Sequence, residues 1–291
     1  MSPRTRERVD TLVIGAGQAG LATSHWLRQA GVEHLVLERR AQLGGSWPDR
    51  WDSFCLVAPN FTLLLPGMPY AGPDPDGFMP RAGVVQYVTD YAAAIAAPVR
   101  LNSAVQQLTA ADDRFEALTE SALISARNVV LATGGYQRTK IPEAARALPP
   151  QVRQLHSDEY RNPGALPEGA VLVVGSGQSG TQIAEELRDA GRDVHLAVSM
   201  CASAPRRYRG RDVIWWLLQS FLHGAEVGVK FPTVEDLPSP AARFAPNPHV
   251  SGKDGGHDID LRELARRGIR LYGRLESIHG TTARFSADLA E

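Results

Sequence analysis

Two sets of glycines in this chain have the types and spacing to hold a phosphate. Gly15, Gly17 and Gly20 lie in VIGAGQAGLA, and Gly175, Gly177 and Gly180 lie in VVGSGQSGTQ. In such a set the first glycine permits a tight turn, the second lets backbone approach a pyrophosphate, and the third packs helix on strand. The first amides of the following helix, at Gln18 in one copy and at Gln178 and Ser179 in the other, then face the anion along the favourable end of the helix dipole. An acid at the end of the next strand accepts hydrogen bonds from a ribose diol. Glu38 stands there in the first copy, with Arg39 beside it. The matching offset in the second copy falls on Val198, beside Ser199, with no carboxylate, and Arg206 and Arg207 follow. Arginines there suit a 2′-phosphate. The first site therefore suits FAD or NAD, the second leans toward NADPH, and two dinucleotides in one chain imply redox chemistry between them. The competing readings are a solvated loop for the arginine pair and a surface position for Glu38.

The elements needed to position these residues are legible around them. The apolar runs Leu12 to Ile14 and Val171 to Val174 read as buried parallel strands, each followed by a helix, 18–29 and 178–190, and a second strand, 34–38 and 193–198. Residues 43–83 carry Gly, Pro and aromatics without steady periodicity and read as a long functional loop. A helix is predicted over 84–97. Short alternating strands follow over 105–108, 115–119 and 123–125 as a small meander, and 129–132 returns to the sheet. Helices near 212–222 and 259–267 flank a proline-rich stretch from Pro232 to Pro248. Strands over 269–272 and 275–278 come last. The predicted fold is α/β with two Rossmann-like dinucleotide-binding domains. The first spans 1–145, a linker 146–168, the second 169–280, and 281–291 begins a return toward the first.

Composition bounds the function. With 31 basic against 32 acidic residues in 291, no global field favours nucleic acid or an anionic membrane, and no apolar run reaches spanning length. The N-terminus leads straight into a glycine-broken strand rather than a signal peptide, so the expected location is the cytoplasm. Only Cys55 and Cys201 are present, far apart, so a C-x-x-C dithiol relay is not expected and electrons should leave a flavin for another acceptor.

The strings LERRAQLGGSW, LATGGY, HSDEYRNP and the second glycine set resemble the flavin-dependent monooxygenases with separate FAD and NADPH domains, the flavin-containing and Baeyer-Villiger monooxygenases among them. RWDSF, PGMPY and PRRYRGRD narrow the resemblance to bacterial flavoprotein oxidoreductases of that superfamily. The resemblance implies FAD contacts from Gly15, Gly17, Gly20, Glu38, Gly45 and Trp47, with Thr133 and Gly134 passing near the flavin nucleotide. It implies a hold on the NADPH pyrophosphate by Gly175, Gly177, Gln178, Ser179 and Gly180. His156 and Tyr160 match the interdomain pattern F-x-G-x-x-x-H-x-x-x-W/Y, although Pro150 and Val152 replace its first aromatic and its glycine. Relatives continue past the length of this chain with a segment that covers the flavin ring, so an open ring pocket is expected.

The implied activity is an NADPH-dependent oxygenation of a small organic substrate by dioxygen through a flavin hydroperoxide, with the chemistry carried by the cofactors. Asn60, in APNFT, resembles the asparagine placed near the flavin oxygen, and its competing reading is a turn residue after Pro59. Two rivals stand beside this reading: an NADPH oxidase or flavin reductase without oxygen insertion, and a nucleotide-binding fragment or subunit with impaired catalysis. A homodimer is compatible with all three. His249, His257, Asp258 and Asp260 fit no common metal spacing and read as a polar loop. Trp215 and Trp216 read as core or interface, and Trp51, Phe54, Phe61 and Tyr70 as a substrate path or as packing under the loop.

Overall fold

The computed structural model describes residues 4–136, 138–230, 233–244 and 249–290, so Pro232 and Pro248 lie outside it. The chain divides into two compact units, one of Met1–Arg50, Phe61–Pro75 and Met79–Thr139, the other of Trp51–Asn60, Asp76–Phe78 and Lys140–Glu291.

The first unit is built on a six-stranded sheet with spatial order Val99–Arg100, His34–Leu37, Thr5–Ile14, Ala122–Leu131, Arg114–Leu118, Gln107–Ala111. The first four strands are mutually parallel and the last three antiparallel. Alternation along the central strand sends Val13 to one face, against Leu21, Val36, Tyr87, Val88 and Tyr91, and Leu12 and Ile14 to the other, against Leu37, Ala117, Ile124 and Ala126. The helices are Gln18–Gln29 and Arg81–Ala94. The second starts earlier than its periodicity predicts, just after Pro80, whose fixed φ of −69° suits a helix entry. It ends before Ala96, which turns left-handed at φ 45°.

The two predicted strands 123–125 and 129–132 are one strand, Ala122–Leu131. Arg127 and Asn128 interrupt the apolar pattern, but both reach Asp10 on the neighbouring strand, at 3.4 and 3.2 Å, and so continue the ladder.

The second unit carries a parallel three-stranded sheet, Arg270–Tyr272, Val194–Ala197, Val171–Val174 in spatial order. Helix Gln178–Asp189 packs on it through Ile183, Ala184 and Leu187. Helix Leu261–Arg266 begins at Asp260, whose side chain accepts a hydrogen bond from the Glu263 amide at 3.0 Å, and the hairpin Leu275–His279/Thr282–Phe285 closes the unit. Helix Val213–His223, capped by Asp212 on the Ile214 amide at 2.8 Å, has no buried residue, so Trp215 and Trp216 are not core. Two strand–glycine turn–helix–strand units on parallel strands make this an α/β fold with two Rossmann-like folds, as the duplicated pattern predicts. Among the described residues no helix is long and apolar enough to cross a membrane.

Candidate dinucleotide sites

The two glycine turns are near copies. Gly15 and Gly175 take φ of 109° and 104°, a region closed to residues with a Cβ, and their amides donate to Leu37 O at 2.8 Å and Ala197 O at 3.0 Å. Gly17 and Gly177 cap the helices in extended conformation. No side chain caps either helix and no acid sits in either first turn, so the first amides are left for an anion. A Cβ on Gly20 would collide with Gly15 O, and one on Gly180 with Gly175 O, which is the close helix–strand approach the motif needs.

The first turn is crowded by other segments. Gly45, at φ 58°, faces Gly17 so closely that a Cβ on it would stand 3.2 Å from the Gly17 Cα. Thr133 passes over Gly15, and Gly134 follows at φ 74°. Glu38 is 5% exposed; its Oε2 accepts from the Ala16 amide at 2.9 Å and its Oε1 from the Arg40 amide at 3.0 Å. Each oxygen keeps a further lone pair, so a diol can still be bound. Arg39 is exposed, and Trp47 is half-buried against the core.

Around the second turn space is open: a Cβ on Gly175 or Gly177 would meet nothing within 4 Å. Val198 is buried at the place that Glu38 takes in the first copy, Ser199 beside it is exposed, and Ser179 is half-buried in the first helical turn. The Gln178 side chain donates to Val250 O at 2.5 Å and so ties the turn to the hairpin Val250–Ser251/His257–Asp258. The arginine pair splits. Arg206 is 1% exposed, paired through Nε with Asp212 at 2.8 Å and stacked 4.2 Å over Phe78; burial lowers its guanidinium pKa while Asp212 opposes. Arg207 is exposed and donates to the Gly255 and Gly256 carbonyls at 2.7 and 3.0 Å.

Residues 12–217 match the family model described as pyridine nucleotide-disulphide oxidoreductase. The chain belongs to that family. It is 39% identical over 280 residues to the CzcO-like oxidoreductase of Geobacillus kaustophilus, covering 96% of this chain and 76% of that protein. Among solved structures it resembles the flavin-containing monooxygenase from Stenotrophomonas maltophilia, with TM-score 0.71 at 22% identity, covering 96% of this chain and 74% of that one. It also resembles OTEMO in complex with FAD and NADP, with TM-score 0.51 at 21% identity over 67% of this chain and 39% of that one. A sequence likeness to the probable indole-3-pyruvate monooxygenase YUCCA3 of Arabidopsis thaliana, 27% identical over 216 residues, 69% of this chain and 49% of that protein, joins the family match in bearing out the resemblance to the flavin-dependent monooxygenase superfamily.

Within this oxidoreductase Asn60, His156, Tyr160, Trp51 and Phe54 fall into the second unit, and Phe61 and Tyr70 into the first. Asn60 is 5% exposed, and its amide donates to Gly77 O at 2.9 Å. Tyr160 is buried and donates to Glu186 Oε2 at 2.8 Å; burial, then the carboxylate, pushes its phenol pKa up. His156 lies 3.3 Å from Asp158, and its amide donates to Glu159 at 2.8 Å. Trp51 and Phe54 pack edge to face at 5.0 Å. Cys55 and Cys201 are free thiols.

Several organising residues escaped the sequence reading. Ser176 is fully buried, and its Oγ accepts from the Ser199 amide at 3.0 Å, which fixes the loop that carries Ser199. Glu186 gathers Tyr160 and Ser53, the latter at 2.7 Å, and so joins the RWDSF and HSDEYRNP strings. Glu185 accepts from His257 at 3.0 Å and Arg267 at 3.0 Å. Acids at successive positions of an amphipathic helix signal a surface, and only the tertiary partners show otherwise. His249, Asp258 and Asp260 have structural places: burial lowers the His249 pKa, Asp258 accepts from the Arg206 amide, and Asp260 caps a helix.

Proposed function

We propose that the chain is an NADPH-dependent flavoprotein monooxygenase acting with dioxygen on a small organic substrate. FAD is assigned to the turn at Gly15 and NADPH to the turn at Gly175. One observation carries this: the two turns share their backbone geometry, yet the first is matched with a buried acid, Glu38, whereas the same place in the second holds a buried Val198 with an exposed hydroxyl, Ser199, beside it. An acid matches a ribose diol and repels a 2′-phosphate.

Bound FAD would supply hydride acceptance and oxygen chemistry. The chain's own part is to bind and orient. In the first site Gly15, Gly17, Gln18 and Gly20 would hold the pyrophosphate, Glu38 the ribose, and Gly45, Trp47, Thr133 and Gly134 the flavin side, with Arg39 an exposed cation at the edge. In the second, Gly175, Gly177, Gln178, Ser179 and Gly180 would hold the pyrophosphate. Ser199 and Arg207 would face the 2′-phosphate, with Arg206 acting beneath them through Asp212. Asn60 is assigned as a hydrogen-bond donor to the reacting oxygen, and His156 and Tyr160 as anchors of the segment that enters the second sheet.

The test is spectroscopic. Purified protein loaded with FAD should be yellow, bleach with NADPH faster than with NADH, and consume oxygen in step with an oxygenated product when the right substrate is supplied. Oxygen recovered wholly as hydrogen peroxide across a substrate panel would select the oxidase reading instead. Protein that cannot retain FAD on reconstitution would remove both.

A further inference from the structure

A cleft of about 430 Å³ lies in the first unit, at the far end of helix Gln18–Gln29 from the Gly15 turn. Its volume falls within the roughly 300–1,000 Å³ of small-molecule sites. Arg28 stands about 15 Å along the helix axis from Gln18, so the cleft is separate from the turn assigned to the pyrophosphate. None of its lining residues adjoins an undescribed one in the chain.

A fixed hairpin shapes one side. Strands Leu64–Leu65 and Met68–Pro69 pair antiparallel, and two buried tyrosines of helix Arg81–Ala94 donate to the turn between them, Tyr91 to Pro66 O at 3.0 Å and Tyr87 to Met68 O at 2.5 Å. Gly67 turns at φ 78°, and a Cβ on it would stand 2.7 Å from His25 Cε1, so the hairpin meets the imidazole closely. His25 is set in turn by Trp26, edge to face at 5.1 Å, and by Tyr91, stacked at 6.5 Å. Met68, Ala94 and Ile95 supply an apolar wall.

The polar wall carries donors and no acid. Arg28 is exposed and donates from Nη1 to Ala96 O at 3.1 Å, and among the described residues it pairs with no carboxylate. Among the described residues the His25 ring and the Gln29 side-chain amide have no hydrogen bond. Two helices end beside the cleft, yet their last carbonyls are engaged. Trp26 O and Arg28 O accept from the Ala30 and Gly31 amides, and Tyr91 O and Ala93 O accept from those of Ile95 and Ala96. The guanidinium therefore sets the sign of the site.

From this arrangement we infer that the cleft binds a small organic monocarboxylate, with its carboxylate on Arg28 and Gln29 and its apolar body against Met68, Ala94, Ile95 and the His25 ring. With Nη1 turned to Ala96 O, the Nε and Nη2 edge of Arg28 is left to grip a carboxylate through two parallel hydrogen bonds. The apolar wall favours an organic acid over a bare inorganic anion, and the methionine adapts to its shape. The inference stands independently of the cofactor assignment.

The test titrates the full chain with benzoate in a calorimeter, beside neutral benzamide and inorganic phosphate. Benzoate should saturate one site with a dissociation constant of about 1 mM or below, and both comparison ligands should bind about tenfold more weakly or not at all. Arg28→Gln should weaken benzoate about tenfold. Ala94→Phe, which leaves every donor in place and fills the cleft, should abolish binding. Both positions are exposed, so folding is retained, which circular dichroism checks. No saturable benzoate binding, benzamide or phosphate binding as tightly as benzoate, or either folded variant binding benzoate like the parent would overturn the inference.

Discussion

Glu38 Oε2 accepts a hydrogen bond from the Ala16 amide at 2.9 Å, so the acid assigned to the ribose is tied to the loop assigned to the pyrophosphate. Both of its oxygens also satisfy backbone amides, one buried and one half-buried, which couples nucleotide binding to local stability. Glu38→Ala should therefore lose FAD on gel filtration and also lower the unfolding free energy, by about 1–3 kcal/mol for the amides left unpaired. Glu38→Gln keeps one acceptor and should recover more stability than flavin retention. Equal recovery of both would detach the carboxylate from the ribose.

Arg206 and Arg207 should separate by readout. Removing Arg206 leaves the Asp212 carboxylate buried without its partner, so Arg206→Ala should cost about 3–5 kcal/mol of stability. Arg207→Ala should leave the melting temperature nearly unchanged and raise the KM for NADPH roughly tenfold more than that for NADH. A KM raised equally for both nicotinamides would take the 2′-phosphate away from Arg207.

What the sequence revealed and what it hid follow from range. The turns at Gly15 and Gly175 were legible because positive φ and close packing on the next strand are local demands that glycine alone meets. The helix 18–29 was legible to the residue for the same reason. The sequence offers Arg206 and Arg207 as a pair for a 2′-phosphate, or else as a solvated loop, and neither reading foresees a buried Arg206; its burial depends on Phe78 and Asp212, one of them far off in the chain. The strand Ala122–Leu131 was split at Arg127 and Asn128 because their shared partner, Asp10, belongs to a strand over a hundred residues earlier. Trp215 and Trp216 were read as core or interface from hydrophobicity alone, which cannot say whether a helix has anything to cover it.

The His257–Glu185 pair should make stability depend on pH. The hydrogen bond to Glu185 raises the His257 pKa against burial. Burial pushes Glu185 up, but His257 and Arg267 together outweigh it, and its carboxyl titrates below the ordinary range. A raised histidine contributes fully below its unfolded value near about 6.5 and loses that contribution as pH rises through the folded value. The lowered Glu185 contributes above about 4.3 and is lost on acidification. Relative to His257→Gln, the parent should be more stable at about pH 5.5 and the difference should close by about pH 8.5, with an amplitude under about 1 kcal/mol because the imidazole is one-third exposed. A difference independent of pH, in urea midpoints, would show that the pair stays uncharged.

The open space above Gly177 offers the cleanest separation of binding from folding. A Cβ there meets no protein atom within 4 Å, whereas one on Gly180 would strike Gly175 O and one on Gly17 would stand 3.7 Å from the Gly45 Cα. Gly177→Ala should therefore fold with a loss of less than about 1 kcal/mol, the ordinary difference between glycine and alanine at a helix N-cap. If the pyrophosphate crosses that space, the added methyl should raise the KM for NADPH and for NADH alike, about tenfold or more, while FAD content stays at the parent level. Gly180→Ala should instead destabilise the second unit before any nucleotide is added, because helix and strand must move apart. A Gly177→Ala enzyme with unaltered NADPH kinetics would place the nicotinamide nucleotide somewhere other than this turn.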